Sequence, residues 1–126
     1  MHAPKAHNPG FLALVNEAKA RIREIDIEQY MRMASAGEAH LLIDVREDGE
    51  WEAGHAAGAL HVGKGIIERD IESKVPDKET MLVLYCGGGF RSALAADAVR
   101  RMGYTSVISL EGGWRAYQSS GLPVEK

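Results

Sequence analysis

Met81-Leu82-Val83-Leu84-Tyr85-Cys86-Gly87-Gly88-Gly89-Phe90-Arg91-Ser92 is the stretch on which the reading of this chain turns. Its first five residues are apolar and partly branched, the pattern of a buried strand. A helical pattern then runs to about Met102, with Gly103 just past its end. Between strand and helix stands Cys86, the only cysteine in the chain, followed by three glycines and then an arginine. In open α/β sheets ligands sit beyond the carboxyl ends of the strands, and that is where this thiol falls.

Working outward, Asn8-Pro9 reads as a helix start, with asparagine as cap and proline at the first helical position. Phe11, Val15, Ala18 and Ile22 recur at helical spacing, which predicts a helix from Pro9 to about Arg21 that packs this stripe on the rest of the chain. Ile22 to Ile25 reads as a short strand. Asp26-Ile27-Glu28-Gln29 resembles a capping box, and Ile27, Tyr30, Met31 and Ala34 form one apolar face ending at Gly37. Leu41 to Val45 reads as a buried strand. A helical turn over Asp48 to Ala53 stops at Gly54, and Ala59 to Val62 reads as another strand. Ile66, Ile67 and Ile71 mark a helix before the turn at Pro76-Asp77-Lys78. Ser106 to Leu110 is the last predicted strand, followed by Glu111-Gly112-Gly113-Trp114 and a helix that Gly121-Leu122-Pro123 ends. Alternating strands and helices predict an α/β fold, a parallel sheet covered by helices on both faces.

The bulk composition narrows the class. A chain of 126 residues, 45% hydrophobic and 26% charged, reads as one soluble globular domain. Its net charge of -3 gives no reason to expect nucleic acid or an anionic membrane as partner. A single cysteine forms no internal disulfide, so the expected location is the cytoplasm, with a reduced thiol. Residues 1–8 read as a tail, and the opening ten residues lack the apolar run of a secretory signal.

The loop is suited to thiolate chemistry. The ionised sulfur is the nucleophile, so it must be stabilised near neutral pH. The N-terminus of the following helix points its partial positive charge at the loop. Successive backbone N–H groups in a tight turn form an anion-binding concavity. Arg91 adds a cation for the thiolate or an anionic substrate, and Ser92 is placed to cap the helix or donate to the sulfur. The competing reading, a small buried cysteine at a strand end, fits poorly with glycines and an arginine that give a core nothing to pack.

Cys86-x-x-x-x-Arg91-Ser92 after a hydrophobic strand resembles the active-site loop of the rhodanese family of sulfurtransferases. Leu42-Ile43-Asp44-Val45-Arg46-Glu47, Glu50-Trp51 and Gly54-His55-Ala56-Ala57-Gly58-Ala59 are similar to that family's upstream signature, in order. Leu110-Glu111-Gly112-Gly113 and Gly121-Leu122-Pro123-Val124 are similar to its C-terminal one. The resemblance covers about residues 22 to 124, leaving 1–21 as an N-terminal tail and extra helix ahead of a domain at 22–126. It implies a rhodanese-like fold with a five-stranded parallel sheet. It also implies sulfur transfer from a donor (thiosulfate or a persulfide) to a thiophilic acceptor (cyanide or a thiol, including a protein thiol) through a Cys86 persulfide. Cys86 would then be the catalytic residue, with Gly87, Gly88, Gly89, Phe90, Arg91 and Ser92 as the cradle, and neither metal nor organic cofactor would be needed.

Four residues separate Cys86 from Arg91. Cysteine-dependent phosphatases that resemble this family place one more there, making a wider cradle for a tetrahedral phosphate. Some thiosulfate-preferring relatives carry basic residues directly after the cysteine. Here those positions are Gly87 to Gly89, which favours a bulkier persulfide or protein thiol over thiosulfate.

Asp44 and Arg46, at the loop end of a predicted strand, are candidates to orient the Cys86 loop or touch substrate, with a buried structural ion pair as the preferred reading. Glu50 is a candidate partner for Arg46. His55 reads as a satisfied turn residue more than as an acid or base. The five histidines (2, 7, 40, 55, 61) show no i, i+4 pair, and one cysteine makes no zinc set. Trp51, Trp114 and Tyr117 read as core. Lys64, Arg69, Arg100 and Arg101 read as solvated helix charges.

Overall fold

Apolar runs such as 82–85 offer solvent no polar side, and strands of that kind need cover on both faces. The computed structural model describes residues 7–126, and its elements follow from that need. They run α1 (Pro9–Lys19), β1 (Arg23–Ile25), α2 (Ile27–Ser35), β2 (Leu41–Asp44), α3 (Asp48–Ala53), β3 (His55–Ala56), β4 (Leu60–His61), α4 (Ile67–Lys74), β5 (Leu82–Tyr85), α5 (Phe90–Arg101), β6 (Val107–Leu110), α6 (Gly113–Ser119) and β7 (Val124–Glu125). Five strands form one sheet in the order β1-β6-β5-β2-β4, every neighbouring pair parallel. This is the α/β architecture expected from the sequence.

Side chains alternate across the sheet with the period of two that a strand imposes. Leu82 and Leu84 enter a core shared with Ile67 and Ile71 of α4 and with Ala95, Ala96 and Val99 of α5. Val83 and Tyr85 enter the opposite core, with Tyr30 and Met33 of α2 and Tyr117 of α6. Leu82 and Leu84 are fully buried, and truncating a leucine in such a place costs about 2–5 kcal/mol. Central β5 therefore ends at a fixed point, and Cys86 follows it directly.

Several elements differ in detail from the sequence reading. The helix predicted from Pro9 ends at Lys19, and Asn8 precedes it without a side-chain cap bond. Val15 and Ala18 are its buried residues, and it packs along α5. Ile22, just beyond the helix, packs against the core containing Ile67 and Leu84. The capping box of α2 is present, with Asp26 Oδ1 accepting from Gln29 N at 2.8 Å and Asp26 N donating to Gln29 Oε1 at 2.9 Å. Its buried residues are Tyr30 and Met33, while Met31 is half-buried and Ala34 exposed, so the helix turns a face to the core that is offset from the expected stripe. The antiparallel pair β3–β7, too short to give an alternating pattern, was not expected. Part of the N-terminal tail, residues 1–6 with His2, lies outside the described residues. Among the described residues no helix is long and apolar enough to cross a membrane.

Candidate active site

Cys86 Sγ sits at the floor of a cleft of about 500 Å³, with only 1% of the residue exposed. The loop has to curl back over the sulfur, and Gly89 makes that possible. Its φ is +98°, and a Cβ there would press on the backbone of Leu110, Glu111 and Gly112 at 3.3–3.5 Å. With the turn closed, Gly89 N donates to Sγ at 3.1 Å, and Ser92 Oγ lies 3.5 Å from Sγ. Burial pushes the thiol up, but the Ser92 hydroxyl and the N–H groups of Ser92, Gly88 and Gly89 outweigh it, and the net direction is down. The site therefore favours thiolate.

Behind Ser92 stands a residue the sequence reading missed. Ser109 of β6 is completely buried, and its hydroxyl is 2.9 Å from Ser92 Oγ. When Ser92 donates to an ionised sulfur, its own oxygen is free to accept from Ser109. One buried hydroxyl chain thus has a single direction that suits the thiolate. A polar residue inside the otherwise apolar run Val107–Leu110 was the available signal.

The Gly112-Gly113 pair also gains a physical reason. Trp114 N donates to Cys86 O at 2.7 Å, and Arg115 N to Gly87 O at 3.3 Å, so the start of α6 clamps the loop. Gly113 has φ +51°, and a Cβ there would run into the Cys86 carbonyl oxygen.

Arg91 lines the cleft beside Cys86, and its guanidinium is paired within the protein: Nη1 and Nη2 donate to Glu50 Oε1 and Oε2 at 2.7 and 3.1 Å. The Arg91 hydrogen bonds hold the Glu50 carboxyl below its usual range, and Glu50 together with the charge of Cys86 pushes Arg91 up. Glu50 was considered as the partner of Arg46; it pairs with Arg91 because Glu47 N, donating to Oε1 at 3.0 Å, turns its carboxylate that way.

Arg46 turns inward to Asp44. Arg46 Nε and Nη2 donate to the Asp44 carboxylate at 2.8–3.1 Å, and Nη2 also donates to Gly54 O at 2.7 Å. Tyr85 donates its O–H to Asp44 Oδ2 at 2.7 Å and accepts from Ala56 N at 3.1 Å. The Arg46 guanidinium lies 4.6 Å from the centre of the Trp114 ring. Both charges are buried and neither lines the Cys86 cleft. They meet the loop at its two anchors, Tyr85 before the cysteine and Trp114 on its carbonyl.

The remaining candidates separate. Phe90 opens α5 and its ring lines the cleft, while Gly87 and Gly88 form the floor. His55 is buried away from Cys86, stacked on Trp51 at 3.4 Å with Nδ1 2.9 Å from Trp51 O. Tyr117 is buried; Trp51 and Trp114 are half-buried. Lys64 and Arg69 line a neighbouring cavity that shares Arg91 with the cleft, whereas Arg100 and Arg101 converge with Arg21 on buried Asp97. Three further lining residues were not anticipated as such: His7, Phe11 from α1 and Arg115 from α6.

Comparison with known proteins places this geometry. The rhodanese-like domain model matches residues 26–120. A sulfurtransferase of Allochromatium vinosum is 33% identical over 103 residues, 82% of this chain and 94% of that protein. The chain spans 53% of the length of a curated relative from Bacillus subtilis and 22% of one from Mycobacterium tuberculosis. Among solved structures, the polysulfide-sulfur transferase homodimer of Wolinella succinogenes is similar at 27% identity and a TM-score of 0.76, covering 92% of this chain and 87% of that one. A Rhodopseudomonas palustris protein of unknown function, described as a possible tyrosine phosphatase, is similar at 29% identity and a TM-score of 0.82, covering 98% of this chain and all of that one.

Proposed function

This chain belongs to the rhodanese-like domain family, and from that membership we propose that it is a sulfurtransferase working through a persulfide on Cys86. The observation that carries the reading is the sulfur at the floor of the cleft, held by Gly89 N and Ser92 and biased toward thiolate. The thiolate attacks the outer sulfur of a donor. A new Sγ–S bond forms, the donor's S–S bond breaks, and the leaving sulfite or thiolate departs with the electron pair. The loop N–H groups then face the transferred sulfur. A thiol or cyanide attacks that outer sulfur, the Sγ–S bond breaks, and its electrons return to Cys86 as thiolate. The transfer is split into two displacements on one nucleophile, with no cofactor involved.

The same geometry supports a persulfide donor over thiosulfate. Arg91, the loop's own cation, is occupied by Glu50, Gly87 to Gly89 add no charge, and Arg115 of α6 is the one unpaired cation lining the cleft among the described residues, too little for a dianion. A lone cysteine with no disulfide partner in the chain favours a reducing compartment, the cytoplasm, and small thiols or a protein thiol as partners. The test is turnover with glutathione persulfide against turnover with thiosulfate. Higher kcat/KM for the persulfide, lost in Cys86→Ser, is expected; a strong preference for thiosulfate would overturn the donor assignment.

Phosphate ester hydrolysis is the second reading, raised by the description of the Rhodopseudomonas palustris protein. The four-residue spacing and the turn of Arg91 to Glu50 weigh against it, since a phosphate cradle needs the guanidinium facing in. Release of p-nitrophenol from its phosphate in a Cys86-dependent way would reverse that ranking.

A further inference from the structure

The cleft over Cys86 is asymmetric, and its two sides call for different chemistry. One wall is aromatic: the rings of Phe11 and Phe90 lie 6.2 Å apart, with His7 at 5.3 and 4.6 Å from them. Phe11 and His7 come from outside the family match at 26–120, so this wall is what the N-terminal segment adds to the domain. The other side carries Arg115. Its backbone is fixed on Gly87 O, and its guanidinium lies over Gly88, where an added Cβ would meet Nη1 at 3.4 Å.

The cations at this mouth are not equivalent. Arg91 is forked onto Glu50, and Lys19, 5.0 Å from the centre of the Phe90 ring, pairs with Glu24 at 3.4 Å. Among the described residues Arg115 has no carboxylate within ion-pair distance. It is the cation left to meet a ligand. The cleft of about 500 Å³ has the size of sites that enclose organic molecules, well beyond the needs of an inorganic ion.

We propose that the acceptor at this site is a small organic thiol bearing a carboxylate, with Arg115 holding the carboxylate and Phe11 and Phe90 supporting the carbon skeleton. This rests on the sulfurtransferase reading above. The acceptor thiolate attacks the outer sulfur of the Cys86 persulfide, a new S–S bond forms in the product persulfide, and Cys86 leaves as thiolate with the electron pair of the broken bond. No oxidant or reductant enters. Arg115 sets the approach of the nucleophile, so it determines specificity for the thiol. The aromatic wall lowers solvent access on the far side and strengthens the ion pair over one on open surface.

The experiment loads Cys86 with one sulfur and follows its discharge by glutathione and by glutathione diethyl ester, compared at equal thiolate concentration. These probes share a thiol and differ in whether the carboxylates are free. The 126-residue chain is expected to prefer glutathione by about fivefold, the upper end for an exposed ion pair. Arg115→Ala brings the ratio to about one, Arg115→Lys keeps part of the preference, and Phe11→Ala slows both thiols relative to cyanide. A ratio that ignores Arg115, or a wild type that favours the ester, overturns this inference while leaving sulfur transfer standing. Failure of Cys86 to load from any donor overturns both.

Discussion

The Arg91 guanidinium is forked onto the Glu50 carboxylate, at 2.7 and 3.1 Å, in a pair whose side chains are 34% and 38% exposed. An ion pair that open to solvent contributes at most about 1 kcal/mol to folding. Its larger consequence is electrostatic, because it cancels the one cation the Cys86–Ser92 loop carries.

Releasing that cation should change donor use more than stability. Glu50→Gln keeps an acceptor for Glu47 N and removes the charge. Its stability should fall by less than about 1 kcal/mol, while KM for thiosulfate falls about threefold. In an Arg91→Ala background the same substitution should have no effect on KM. A KM unmoved in both backgrounds would show that the Arg91 charge does not reach the donor.

The pH dependence follows from the direction of the Cys86 shift. Its thiol ionises below the ordinary cysteine value of about 8.5. Between those two values the native state binds fewer protons than the unfolded chain, so stability rises with pH there. The contribution is fully present above about 8.5 and is lost as pH falls through the lower native value. Cys86→Ser cannot ionise and lacks it. Urea unfolding of both proteins under reducing conditions should show the wild type gaining on the variant as pH rises through that window. A gap that shrinks would reverse the sign of the shift.

The buried hydroxyl chain makes a graded prediction. Hydrogen bonds to a charged group contribute about 1.5–3 kcal/mol, so Ser92→Ala should raise the Cys86 pKa. Ser109→Ala, acting through Ser92, should raise it by less. The thiolate's ultraviolet absorbance, titrated against pH, reads both. A Ser109 variant that titrates like the wild type would mean that Ser109 only fills space.

Gly113→Ala should be costly twice over, through a left-handed backbone and through collision with the Cys86 carbonyl. The first costs about 1–2 kcal/mol and the second about 1–3 kcal/mol. The urea midpoint should fall accordingly, and the reaction of Cys86 with an alkylating reagent should lose its low-pH onset. A variant of wild-type stability would show that α6 can back away from the loop.

The sequence announced the layers because β5 and β2 are apolar runs whose burial needs no distant partner to be inferred. It announced Cys86 and its glycines because a loop around a sulfur leaves local marks. What it hid depended on contacts across the chain. Glu50 lies 41 residues from Arg91 and Ser109 lies 17 from Ser92, separations that carry no periodicity. Phe11 read as part of a packing stripe, and the same ring that packs beside Phe90 also walls the cleft. Arg115 carries no local mark in the sequence, and only the fold sets it over Gly88. The strands β3 and β7, each two residues long, are held by pairing between distant segments, so neither had a local pattern to display.

The central claim is that Cys86 carries sulfur, and intact mass spectrometry after incubation with a persulfide or thiosulfate donor tests it most directly. The account predicts a gain equal to one sulfur atom, removed by cyanide and absent in Cys86→Ala. A protein whose mass stays unchanged with every donor, while Cys86 remains reactive toward an alkylating reagent, would contradict it.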